Sequence, residues 1–176
     1  RRGSSGKSAV TECQVSCGHT KECKRLQRVS GEPMRPPVIK KLVSGGQAGV
    51  DRGSLDAAIV LGIPHGGWCP QHRRAEDGPI SDDYKLRSTQ SADYRVRTRR
   101  NVLHSDGTLI FCSGPPSGGT RLTRDWAICL ARPCHLVDFS ILQQSDQNSD
   151  EAYKAMRVAQ QSVCRWLHLN GIEVLN

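Results

Sequence analysis

From residue 38 onward, short unbroken apolar runs alternate with stretches in which apolar residues recur every three or four positions. Val38 to Ser44 is such a run, led in by Pro36 and Pro37, which favour extended backbone, and it predicts a first strand. Asp51 to Leu61 sets Leu55, Ala58 and Ile59 on one face and predicts a helix closed by Gly62 and Pro64. Ile63 to Cys69 follows as a second strand. Pro70 to Thr89 has no period and is long for a connection in a compact domain, which marks it as functional rather than idle. Ala92 to His104 resumes as a helix carrying Tyr94, Val96, Val102 and Leu103, and Gly107 to Cys112 is the most strand-like run of all. The turn residues SGPPSGGT break it. Arg121 to Arg132 then predicts a third helix and His135 to Phe139 a fourth strand. Ser149 to Leu169 predicts a long amphipathic helix capped by Ser149, with Asp150 and Glu151 in its first turn. Gly171 ends it, and Ile172 to Leu175 begins a fifth strand.

Strands alternating with helices predict an α/β fold, a Rossmann-like three-layer sandwich with a mostly parallel sheet covered on both faces. Ligands of such sheets bind at the carboxyl ends of the strands. That rule selects three loops, SGGQAGVDR, GGWCPQHRRAEDGP and SGPPSGGT.

Charge changes the picture less than its total suggests. The net charge is +8, but residues 1 to 37 hold eight Lys/Arg and three Asp/Glu, so most of the excess belongs to them. That segment has no period and is rich in Ser, Gly and basic residues, the composition of a disordered extension. Met34 stands four residues before the first strand and reads as the natural start, with the upstream residues as non-native sequence. A nucleic-acid role would rest on this extension alone and is not expected. The domain proper is 38 to 176. No apolar run approaches a membrane span and no leader pattern opens the chain, which predicts a cytoplasmic protein. Cys13, Cys17 and Cys23 beside His19 lack a second CxxC and make a poor zinc set; Cys69, Cys112, Cys129, Cys134 and Cys164 read as reduced thiols.

The candidate chemistry lies in the three loops. Gly45, Gly46 and Gly49 follow the first strand, with spacing that fits neither GxGxxG nor the P-loop, and no lysine follows them. Gly118, Gly119 and Thr120 open the third helix in the same way. Both turns offer bare amides to an anion, and Ser44, Ser113 and Thr120 add hydroxyl donors. Arg73 and Arg74 suit an oxyanion, although Glu76 and Asp77 could pair with them instead. Trp68 could stack on a planar ring or simply pack. Asp51 reads first as a helix cap, and Arg52 beside it opposes the macrodipole and wants a ligand or a carboxylate. On the second helix Arg95 and Arg99 share one face, Thr98 and Asn101 another, and most of the arginines read as solvated or at a subunit contact. Ser44, His65 and His135 show no spacing that would make a hydrolytic relay.

The wording SGGQAGVDRGSLDAAIVLGIPHGGWCPQHRRAEDGPI, YRVRTRRNVLHSDGTLIF and GGTRLT closely resembles the putative molybdenum carrier family, which shares a Rossmann-like superfamily with the Lonely Guy phosphoribohydrolases. The resemblance runs from about Val38 to the end. It implies a cytoplasmic homo-oligomer that binds and protects molybdenum cofactor, a phosphorylated molybdopterin, before insertion into molybdoenzymes, without catalysis. The site it implies joins Ser44, Gly45, Gly46, Gln47, Gly49, Asp51, Arg52, Trp68, Arg73, Arg74, Thr98, Ser113, Gly118, Gly119 and Thr120 around a small anionic ligand. Three departures stand out. Ala48 replaces the threonine expected in GGQTGVDR; SGGTRLTRD lacks the glutamate of the phosphoribohydrolase motif; and NGIEVLN stops where the family pattern continues, so the C-terminal part reads as truncated. A nucleotide-binding sensor or a phosphoribohydrolase-like enzyme is the alternative.

Overall fold

The computed structural model describes residues 37–140 and 150–176. The basic extension, its three cysteines and the Ser149 cap lie outside these residues. The described residues belong to one compact unit, Pro36–Asn176.

The elements follow the predicted alternation: β1 (Lys41–Val43), α1 (Val50–Val60), β2 (His65–Cys69), a 3-10 turn (Gln71–Arg73), β3 (Arg74–Ala75), β4 (Gly78–Pro79), β5 (Leu86–Ser88), α2 (Tyr94–Leu103), β6 (Thr108–Cys112), α3 (Gly118–Cys129), β7 (Cys134–Asp138), α4 (Asp150–Leu169) and β8 (Val174–Leu175). β3 and β4 form a small antiparallel hairpin inside the long loop. That loop also holds β5, a strand not predicted in this aperiodic stretch, which pairs in parallel with β2.

The main sheet runs β5-β2-β1-β8. A parallel bridge from Gly107 to Leu175 continues it into β6 and β7. Asn176 donates to the Gly107 carbonyl at 3.0 Å, and Leu109 donates to the Asn176 carbonyl at 2.7 Å. The last strand in sequence therefore lies in the middle of the sheet, between β1 and β6. Asp106 holds it there, since its Oδ2 accepts the Val174 amide at 2.7 Å and the Glu173 amide at 3.1 Å.

The two halves of the sheet carry separate cores. Leu55 of α1 packs with Cys69, Ile80 and Leu86, against Leu42. Leu167 of α4 packs with Ile172 and Leu175, against Leu109, Val163 and Trp166. Leu109 points to α4, so the alternation of the strand turns Thr108 and Ile110 the other way, both buried. α2 packs along α3. Just past the end of β1 the Ser44 backbone crowds Gly67 of β2, with φ 133°, where an added Cβ would lie 2.1 Å from the Ser44 carbonyl oxygen.

Candidate functional site

Where β1 ends, the first turn of α1, the inner face of α2, β6, the start of α3 and the end of β8 enclose a cleft of about 410 Å3. That volume falls in the range of small-molecule sites. Ser44, Gly45, Gln47 and Asp51 form one wall, Arg97, Thr98 and Asn101 a second, and Gly119, Thr120 and Thr123 a third. Thr108, Ile110 and Asn176 lie between them. The two glycine turns thus reach one cleft, as the carboxyl-end rule requires.

The first turn is tied down from within. Ser44 Oγ donates to the Asp51 carbonyl at 2.9 Å and accepts the Gly46 amide at 3.4 Å. Asp51 is not the cap: Gly49 holds that position and offers no side chain. The Asp51 carboxylate turns back instead, and its Oδ2 accepts the Gln47 amide and Arg97 Nη1, each at 3.2 Å. The positive end of α1 therefore already has an anion of the protein's own.

α3 is different. Ser117 at its cap makes no side-chain bond to the helix, and no acidic residue stands in the first turn. Arg121 makes an early helical bond to the Ser117 carbonyl, so the amides ahead of it have no carbonyl partner within the helix. This uncapped end, with Gly119 and Thr120 in the cleft wall, is where an incoming anion is best received.

Arg97 is an exception to the expectation that most of the α2 arginines are solvated or at a subunit contact. Its side chain is 15% exposed, it pairs with Asp51, and its guanidinium lies 5.9 Å from the Tyr94 ring centre. Arg97 and Asn101 stand four apart in the helix and so share a face, a signal that was present in the sequence. Arg95 and Arg99 are exposed, as their shared outer face predicts. Arg97 Nε and Gln47 Oε1 are both buried and have no hydrogen-bond partner.

Of the residues predicted for the site, Ser44, Gly45, Gln47, Asp51, Thr98, Gly119 and Thr120 line the cleft. Gly46, Gly49 and Gly118, all at positive φ, shape the turns behind it. The remaining predicted residues lie outside the cleft lining. Arg52 finds a carboxylate, Asp77, through two bonds of 2.6 and 2.7 Å, and its Nε donates to the Gly46 carbonyl at 3.2 Å. Arg73 spends its guanidinium on the long loop itself, donating to the carbonyls of Ile80 at 2.9 Å, Leu86 at 3.1 Å, Tyr84 at 3.1 Å and Ser81. His72 and Arg73 hold positive φ without being glycine. Arg74 is exposed, and its carbonyl accepts Gln47 Nε2 at 3.1 Å. The Trp68 ring lies under the Arg100 guanidinium at 4.5 Å and edge-on to His104. Asn101, 2% exposed, clasps the Trp68 backbone, accepting its amide at 2.7 Å and donating to its carbonyl at 3.0 Å. Ser113, which follows β6, is not among the lining residues. The loop after it is held by Asp138, whose Oδ1 accepts the Gly114 amide at 2.9 Å and the Ser140 amide at 2.8 Å. These bonds hold the carboxyl below its usual range.

Ser44, His65 and His135 have separate partners: His65 Nε2 accepts the Lys85 amide at 3.4 Å, and His135 stacks on Trp166 at 5.4 Å. The five cysteines among the described residues are free thiols, and no cluster of three metal-binding side chains occurs there. No helix among those residues is long and apolar enough to cross a membrane.

The model of the circularly permutated YpsA SLOG family matches residues 42–176. Among solved structures, the crystal structure of a "putative molybdenum carrier protein" from Syntrophus aciditrophicus SB is 38% identical. The match covers 81% of this chain and 82% of that one, with a TM-score of 0.72. No curated protein matches.

Proposed function

The chain belongs to the circularly permutated YpsA SLOG family, and on that footing we propose that it binds and shields molybdenum cofactor. The observation that carries this reading is the uncapped start of α3 opening on the 410 Å3 cleft beside Arg97. A helix end of this kind accepts a phosphate through backbone amides and the macrodipole. The rest of the cleft has room for the ring system, between the Gly45–Gln47 turn and Thr98 and Asn101 of α2. The 38% identity to a protein carrying the molybdenum-carrier name supports a molybdenum-related ligand.

Holding rather than converting the ligand agrees with the chemistry of α3. Thr123 donates to the Gly119 carbonyl at 2.9 Å, and Asp125, the first carboxylate along the helix, is engaged by Arg121 and Arg124. The cleft carboxylates are Asp51, tied to Arg97, and Glu76. In this reading the protein is a cytoplasmic homo-oligomer that passes its cargo to molybdoenzymes. Purified protein mixed with released cofactor should retain it through gel filtration and restore activity to cofactor-free nitrate reductase. Failure of both steps would refute the reading. The alternative, a phosphoribohydrolase-like enzyme, requires release of free base from a nucleoside monophosphate, which chromatography of the reaction mixture would detect.

A further inference from the structure

The sheet carries a second polar surface. Leu42, Cys69 and Leu86 pack in the α1 core, so alternation turns Lys41, Trp68 and Arg87 to the opposite face of β1, β2 and β5. α2 lies on that face, with the Arg100 guanidinium 4.5 Å from the centre of the Trp68 ring. None of these four residues lines the cleft. Trp68 and Arg87 are register partners on adjacent strands. Gly66, two residues back on the same face, leaves room for the Lys41 chain: a Cβ there would stand 3.4 Å from Lys41 Cε and 3.7 Å from Nζ. An ammonium and two guanidinium groups thus border one half-buried indole. Lys41 and Arg87 are exposed and Arg100 is half-buried. Among the described residues none of the three cations has an ion-pair partner. Carboxylates of the adjoining elements are engaged elsewhere, Glu173 by Lys40 at 2.8 Å, Asp93 by Arg95 at 2.8 Å, and Asp106 Oδ2 by the β8 amides.

We propose that this surface docks an acidic segment of a partner protein. Lysine and arginine present donors alone, so their complement is made of acceptors, and grouped like charges repel until an anion arrives. The indole holds Arg100 in place, and none of its guanidinium N–H groups is spent on a described residue. Three such cations suit neighbouring carboxylates on one segment, each accepting from a guanidinium or from the ammonium. Nucleic acid is the poorer fit. It calls on bare aromatic faces for its bases, whereas Arg100 lies over this indole, and three cations make a short phosphate track. The proposal uses neither the cleft nor its ligand, so it stands or falls apart from the carrier reading.

The test is fluorescence anisotropy of a fluorescein-labelled decapeptide of alternating glutamate and aspartate, titrated with the full chain at low salt. The peptide should bind, and the combined variant Lys41→Gln/Arg87→Gln/Arg100→Gln should bind it about tenfold more weakly or worse. Circular dichroism would confirm that the variant folds. If it does not, Arg87→Gln alone, at an exposed position, should weaken binding about threefold. Changing Lys24, Arg25 and Arg28 of the basic extension to glutamine removes the same charge and should alter binding less than about twofold. No binding, an unchanged constant in the folded surface variant, or an equal loss from the extension variant would each overturn the proposal. So would tighter binding of a single-stranded oligothymidylate of the same charge that the surface variant loses, which would assign the surface to nucleic acid. Dissociation of a wild-type oligomer by the surface variant, seen in sedimentation, would overturn it in favour of a second copy of this chain.

Discussion

Replacing Gly45 with alanine tests whether the Arg97 guanidinium really occupies the β1 turn. The new Cβ would stand 1.6 Å from Nη1, 2.6 Å from Cζ and 2.9 Å from Asp51 Oδ2. No real Cβ tolerates the first two contacts, so the guanidinium must leave and its 3.2 Å bond to Asp51 is lost. A charge-assisted bond contributes about 1.5–3 kcal/mol. Asp51 is 34% exposed, and solvent screening puts this one near the low end, about 1.5 kcal/mol. Gly45 is not at positive φ, so alanine itself adds no backbone strain and returns about 0.4–1 kcal/mol by restricting the unfolded chain. The net loss should be about 1 kcal/mol. In an Arg97→Ala background the guanidinium clash and the bond are both gone, only the 2.9 Å contact with the movable Asp51 Oδ2 remains, and Gly45→Ala should be close to neutral. Urea denaturation of the four proteins should therefore show about 1–2 kcal/mol of coupling, well beyond the ~0.5 kcal/mol scatter of independent sites. If Gly45→Ala costs the same with and without Arg97, the glycine serves something else and the cleft wall has been misassigned.

Gly67→Ala should do more harm than Gly45→Ala, since its obstacle is the Ser44 backbone rather than a movable side chain. Its cost of at least about 3 kcal/mol, from combined strain and overpacking, would appear as loss of soluble protein or of the cooperative melt. Arg73→Ala should cost about 2–3 kcal/mol, whereas Arg74→Ala should stay within about 0.5 kcal/mol, measured by the same denaturation curves. Equal effects would contradict the assignment of Arg73 to the loop carbonyls. The Asp138 carboxyl is lowered from 3.8 by the Gly114 and Ser140 amides. Its contribution is thus fully present above about pH 4 and is lost as pH falls through the lower folded value. The protection of the Gly114 amide against hydrogen exchange, taken relative to the intrinsic rate at each pH, should fall as pH drops through that interval, and Asp138→Asn should remove the transition.

The alternation of strands and helices was legible where apolar runs such as Thr108–Cys112 stand unbroken between turn residues. β5 was not. Leu86–Ser88 is three residues at the sheet edge, with Leu86 buried and Arg87 and Ser88 exposed, so no alternation develops between its polar neighbours. The site was half legible for a related reason. Glycine turns announce themselves, and both reached the cleft. Cations do not announce their partners: an irregular loop leaves carbonyls that need donors, and Arg73 meets that need as readily as it would meet a phosphate. Arg97 was hidden for the converse reason, standing among four arginines of which the outer ones are exposed.

The central position of β8 bears on how the protein is made. β1, β2 and β5 leave the ribosome early, and β6 and β7 follow, but Val174–Asn176 must lie between the two groups before they become one sheet. During synthesis the exposed edges of β1 and β6 wait unpaired while α4 is still being translated. Such edges are templates for pairing with another chain. The interval between emergence of β7 and emergence of β8 is therefore one in which the unpaired β1 and β6 edges are open to misassembly.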